Sequence, residues 1–298
     1  MSSGQAARRR APLLIEGGLA HLHRDGLGVR ERPAPPGAVT IVWIHGLGES
    51  GLGFEQVMVA GELSRFGHLA PDLPGYGRSP WPTEPLALAE HARHLRAWLE
   101  RNTAGELILV GHSMGGVIGT LLCERPGALD GRLAAFVDVE GNVSPTDCTN
   151  SATAAAYELE DFLDHGFARL ADEIHQLGIA DLANRSYYPS LRLADPHSFH
   201  RDSCELVEIS ERREMAGRLG ALGLPCCYVH GHPGGAQDGS LELLRDAGVE
   251  CIAIEPSGHW PFIDRRDDFV AAIAGWLDRS IAIDGGTPGQ PRESPDGD

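Results

Sequence analysis

Short, wholly apolar runs recur along this chain, and stretches with a helical period separate them. Thr40-Ile41-Val42-Trp43-Ile44, Leu107-Ile108-Leu109-Val110 and Cys251-Ile252-Ala253-Ile254 are examples. A run this short with no polar face predicts a strand covered on both sides, as in a parallel sheet. Leu86–Arg101 places Leu88, Ala92, Leu95 and Leu99 on one face, the period of an amphipathic helix. The expected series opens with a β-hairpin over Leu13–His23 and a turn at Asp25-Gly26. It continues with a strand Val39–Ile44, a helix Gly53–Phe66, a strand His68–Asp72 and the helix Leu86–Arg101. A strand Leu107–Val110, a helix Ser113–Glu124 and a strand Leu133–Glu140 follow. This alternation predicts an α/β fold: a mostly parallel central sheet, flanked by helices and joined by right-handed crossovers.

Beyond Glu140 the pattern changes. Residues 142–219 hold helical segments, Ala152–Leu163, Phe167–Leu177 and Ser203–Arg218, and no buried-strand run. This stretch reads as a helical cap inserted after the sixth strand. Strands resume at Pro225–Val229 and Glu250–Ile254, with helices at Ser240–Asp246 and Asp267–Leu277. The expected organisation is a flexible arm over 1–10, a core from 11–141 and 220–283, and the cap over 142–219. Residues 284–298, rich in Gly, Pro and acid, read as a disordered tail.

Gly111-His112-Ser113-Met114-Gly115 joins a predicted strand to a predicted helix. At such a corner Gly-x-Ser-x-Gly holds the serine on a tight turn with its hydroxyl clear of the sheet, and the glycines let neighbouring backbone pass close by. The helix N-terminus behind the serine favours the negative charge that develops in acyl transfer. Three further motifs stand in order around it. They are His45-Gly46-Leu47-Gly48-Glu49-Ser50, then Pro71-Asp72-Leu73-Pro74-Gly75-Tyr76-Gly77-Arg78-Ser79, and late in the chain Ser257-Gly258-His259-Trp260. Together, over roughly Leu13 to Asp278, the chain resembles the α/β-hydrolase superfamily, in its serine-nucleophile, esterase- and thioesterase-like branch with a helical cap.

A serine hydroxyl is a poor nucleophile without a base in hydrogen-bond reach. Ser113 is the expected nucleophile and His259 the expected base, in the chain order this fold uses. The base in turn needs an acid to hold its tautomer and stabilise the imidazolium. In the commonest pattern of the superfamily that acid follows the strand Cys226–Val229. Here that loop reads His230-Gly231-His232-Pro233-Gly234-Gly235-Ala236-Gln237-Asp238, and its first acid, Asp238, arrives late. The strand Phe136-Val137-Asp138-Val139-Glu140 instead ends in a carboxylate. The resemblance implies a precedent, since some relatives, including one subgroup of haloalkane dehalogenases, take their acid from that strand end. Glu140 is favoured, Asp238 is the alternative, and Asp138 shares the face of Glu140 one step back from the tip. The resemblance also places the oxyanion donors at the N–H groups of Leu47 and Met114. His45 and His112 read as loop supports.

Composition narrows the picture. The 298 residues can bury a sizeable core without metal or disulfide help. A net charge of −17 argues against a nucleic-acid partner, and no apolar run reaches the length of a membrane span. Four of the six cysteines, Cys123, Cys226, Cys227 and Cys251, fall in predicted core elements and read as free thiols of a reducing compartment. No apolar stretch follows Arg8-Arg9-Arg10 to make a secretory leader, so a cytoplasmic location is expected. His21-Leu22-His23 and His230-Gly231-His232 do not close a metal site by themselves, and no metal or cofactor is expected. Cys148 reads as an inert thiol.

The expected activity is hydrolysis of a carboxylic ester or thioester on a small-molecule acyl substrate. Dehalogenase and epoxide-hydrolase chemistry is disfavoured, because there the resemblance implies a carboxylate where Ser113 stands. An acyltransferase or a lyase or cyclase on the same scaffold is the second reading. A non-catalytic small-ligand binding protein is the third, against which the full Ser/His/acid set argues. Aromatics are 6% of the chain and the cap is well supplied with Asp, Glu, Arg and His, which favours a small or polar substrate. The oligomeric state is left open.

Overall fold

The apolar runs become the centre of one sheet. The computed structural model describes residues 13–15, 18–125 and 127–281; the expected arm (1–10) and tail (284–298) lie outside these. The strands are β1 (Leu13–Ile15), β2 (Leu19–Arg24), β3 (Leu27–Arg32), β4 (Thr40–Ile44), β5 (Gly67–Pro71), β6 (Leu107–His112), β7 (Leu133–Val139), β8 (Cys226–Gly234) and β9 (Glu250–Gly258). Their order is β1-β2-β3-β5-β4-β6-β7-β8-β9. β1 to β3 run antiparallel and β3 meets β5 antiparallel; from β5 to β9 every pair is parallel. Seven strands precede the long helical stretch, one more than the pattern counted. The N-terminal segment folds as three strands, with the Asp25-Gly26 turn joining β2 to β3.

The helices are α1 (Glu55–Met58), α2 (Leu88–Asn102), α3 (Met114–Cys123), α4 (Asn150–Ala155), α5 (Leu159–Asp161), α6 (Phe167–Leu177), α7 (Leu182–Leu191), α8 (Pro196–Arg212), α9 (Met215–Gly220), α10 (Asp238–Asp246), α11 (Pro261–Asp264) and α12 (Arg266–Ser280). Period-two alternation divides the strands between two cores. Val42, Ile44, Leu107 and Leu109 pack with Leu95 and Leu99 of α2 and Val117 and Ile118 of α3. Ile41, Trp43, Ile108 and Val110 face the other way, against Phe269, Ile273 and Trp276 of α12. Both faces are covered, which is why these runs show no polar alternation.

Helices α4 to α9 occupy the stretch between β7 and β8. Phe162, Phe167, Leu170, Phe199 and Leu206 from this stretch join the first core. Polar bonds tie it to the loops of the sheet: Tyr76 Oη donates to Asp202, Ser50 Oγ meets Ser190 Oγ at 2.8 Å, and Asp195 N donates to Gly75 O at 2.8 Å. Four helical stretches differ from expectation. Ala152–Leu163 is not one helix but divides into α4 and α5. Gly53–Phe66 breaks into short turns around α1. α8 starts earlier than Ser203, because Asp195 caps Pro196 by accepting from His197 N and Ser198 N, and it ends where Arg213 turns left-handed (φ 54°). α7 is a further helix that the sequence pattern does not predict; Pro189 lies inside it, and its start is held by Asp181 accepting from Asn184 N.

One buried histidine makes stability pH-dependent. His68 accepts from Trp43 Nε1 at 3.2 Å, and its Nε2 meets Leu63 O at 3.0 Å, so the folded chain needs the neutral ring. Burial pushes its pKa down to about 4. Both forms are neutral above pH 6.5, so the stability is intact there. As pH falls from 6.5 towards 4, the unfolded chain takes up the proton first and stability is lost, on the order of 3 kcal/mol from this ring. His68→Gln can keep both bonds without titrating. Urea unfolding at pH 7 and pH 4 should give a flatter pH dependence for this variant by about that amount; equal slopes would contradict it.

Candidate active site

The loops that follow β4, β6, β7, β8 and β9 meet at the carboxyl edge of the parallel strands, where open α/β sheets bind ligands. Ser113 is the turn between β6 and α3 and holds φ 53°, ψ −119°, a strained backbone for a residue with a side chain. The flanking glycines have a steric cause. A Cβ on Gly111 would stand 2.3 Å from Gly115 O, and one on Gly115 would stand 2.1 Å from Ile44 O. The turn therefore closes only without side chains at both places.

His259 follows β9, and Glu140 follows β7. His259 Nδ1 meets Glu140 Oε2 at 3.1 Å. Glu140 is buried, and its Oε1 accepts from Gly231 N at 2.8 Å and Ala236 N at 3.1 Å. The end of β8 and the loop after it thus hold the carboxylate of the neighbouring strand. Gly235 lets the loop close down, since a Cβ there would lie 2.1 Å from Glu140 Oε1. With His259 Nδ1 engaged, Nε2 is left for a partner. Ser113 and His259 line the same cavity, and among the described residues no hydrogen bond of 3.5 Å or less joins them. Such bonds often tighten only when substrate is bound.

The other acids lie apart from the imidazole. Asp238 opens α10 and is exposed. Asp138 is buried beneath α3, against Gly116 and Gly141, and burial pushes its carboxyl well up. Leu47 lines the cavity beside Ser113, and Met114 opens α3. The amide of Gly46 is already engaged by Glu49 Oε2 at 2.9 Å, which leaves the next one, that of Leu47. His45 braces loops: it accepts from Leu73 N at Nε2 (2.9 Å), and its Nδ1 meets Gly46 O (2.9 Å). His21 pairs with Glu55, and Cys148 is buried against Ser210 at 3.1 Å.

The cavity measures about 20 Å³, the room of about one water, and its other walls include Asn142, Asp147, Asn150, Ser151 and Tyr187. A larger depression of about 980 Å³, lined by Glu124, Arg125, Arg213 and Arg218, holds none of these groups. Glu49 and Trp260 also line the small cavity, and the motifs quoted for them assigned neither a role. An acid placed next to a glycine-rich turn was the only signal for Glu49.

A profile of the Alpha/beta hydrolase family matches residues 41–273. The lipase LipV of Mycobacterium tuberculosis is 35% identical over 97 residues, 32% of this chain and 36% of that protein, so the match spans about a third of the relative's length. Among solved structures, an enol-lactonase from Burkholderia xenovorans LB400 superposes with a TM-score of 0.67 at 19% identity, covering 87% of this chain and 99% of that one. A thermophilic esterase from Thermogutta terrifontis gives 0.68 at 17% identity, covering 88% and 97%. The sheet order, the corner at Ser113 and a profile match across most of the chain lead to one statement: this protein belongs to the Alpha/beta hydrolase family.

Proposed function

We propose that the protein is a serine hydrolase of carboxylic esters or thioesters, lactones included. The observation that carries this reading is the His259–Glu140 bond of 3.1 Å, beside a serine on a strained corner in the same cavity. Ser113 Oγ attacks the carbonyl carbon while His259 Nε2 takes its proton. Glu140 holds Nδ1–H and stabilises the imidazolium. The N–H groups of Leu47 and Met114 receive the oxyanion. The imidazolium then protonates the leaving oxygen or sulfur. Water, deprotonated by His259, adds to the acyl-enzyme and releases the acid and the free serine.

The lipase, lactonase and esterase among the similar proteins support an ester substrate, and the polar cavity walls support water over a bulky acceptor. The six free cysteines support a reducing, cytoplasmic setting. Among the described residues no helix is long and apolar enough to cross a membrane.

The test is intact mass after treatment with a fluorophosphonate. One adduct is expected, mapping to Ser113, lost in Ser113→Ala and slowed by several orders of magnitude in His259→Ala. Folded wild-type protein without an adduct would overturn the reading.

A further inference from the structure

Glu49 has no part in the reaction above, yet it is buried and meets three donors. Its Oε1 accepts from Trp260 Nε1 at 2.6 Å and from His112 Nδ1 at 2.9 Å, and its Oε2 from Gly46 N at 2.9 Å. His112, wholly buried, reaches His259 O with its Nε2 at 2.8 Å. An ionised carboxylate and a carbonyl oxygen only accept, so both nitrogens of His112 must donate. Only the imidazolium can do that. The charges agree. Burial pushes the Glu49 carboxyl up, but the His112 charge and the three donors outweigh it and hold it at about 2. Burial pulls His112 down, and Glu49 overrides this and raises it.

We propose that Glu49 and His112 form a positioning ion pair that locks together the loop of Leu47, the corner of Ser113 and the loop of His259. The proposal rests on the serine-hydrolase reading. Each bond of the pair ends on a residue next to a functional atom: Gly46 precedes Leu47, His112 precedes Ser113, and the His259 carbonyl and Trp260 belong to the loop of the base. Loosening any one displaces the reacting groups relative to each other, and small displacements cost rate far more than affinity. The rings of His112 and His259 also pack together, with centroids 4.7 Å apart. The groups facing His259 are the Glu140 carboxylate from the end of β7, His112 from β6 with Glu49 behind it, and Asp147 and the Tyr187 hydroxyl across the cavity.

The experiment compares wild type, Ser113→Ala, Glu49→Gln, His112→Gln and the double variant Glu49→Gln/His112→Gln. It measures fluorophosphonate labelling rate, kcat and KM on a short-chain p-nitrophenyl ester, and melting temperature. Each single variant should lose roughly 10- to 100-fold in labelling rate and kcat, with KM within about threefold. The double variant should be little worse than either single one, since the two act as a unit. It leaves no lone buried charge, so it serves where a single variant does not fold. A lower melting temperature with unchanged labelling and kcat would overturn the positioning role alone. An unlabelled wild type, or labelling retained in Ser113→Ala, would overturn the serine reading and this proposal with it.

Discussion

Ser113→Ala should leave a folded protein with kcat on its best ester lowered by about 10⁵- to 10⁶-fold. The residual rate would come from binding and the oxyanion donors alone. On the proposed reading the loss is this large because the acyl-enzyme forms on the Ser113 hydroxyl. The fold should survive, since alanine holds the φ 53° corner no worse than serine does, and the close passage there depends on Gly111 and Gly115. Steady-state kinetics, with melting curves as control, checks both statements. Turnover within tenfold of wild type would mean that the chemistry uses another nucleophile.

Glu140→Gln should cost about 10³- to 10⁴-fold in kcat, while Asp238→Asn should stay within about twofold. The glutamine carbonyl can still accept from Gly231 N and Ala236 N, as Oε1 does now. Its NH₂ then faces His259 Nδ1 and turns that nitrogen into an acceptor. The ring's proton moves to Nε2, where it can no longer take the proton of Ser113. KM should change little, because the amide keeps the shape of the carboxylate. Parallel kinetics on the two variants decides between the acids: the reverse pattern would make Asp238 the partner of the base.

Much of this was legible along the chain. Ile41–Ile44 and Leu107–Val110 read as strands covered on both faces, and they became β4 and β6. The corner at Ser113 was legible because Gly-x-Ser-x-Gly between a strand and a helix is a local pattern, although the backbone that crowds Gly115 is that of Ile44, from another strand. Glu140 was legible as a strand-end carboxylate and was favoured over Asp238 as the acid facing His259, but the choice between them stayed open in the sequence. The Glu140–His259 bond spans 119 residues and needs the neighbouring loop to fold over it, with Gly235 giving way. The broken stretch after Gly53 and the helix around Pro189 were misjudged for a related reason, since local propensity there yields to packing against the rest of the molecule. Hydrophobic period, turn chemistry and motif order are properties of neighbours in sequence, and they determined the fold class, the serine corner and the late histidine. Which acid faces that histidine, and that Glu49 and His112 meet behind it as an ion pair, depend on charges brought together from separate strands and loops. Only the tertiary structure decided those, because the energy of a buried charge is set by the partners folded around it.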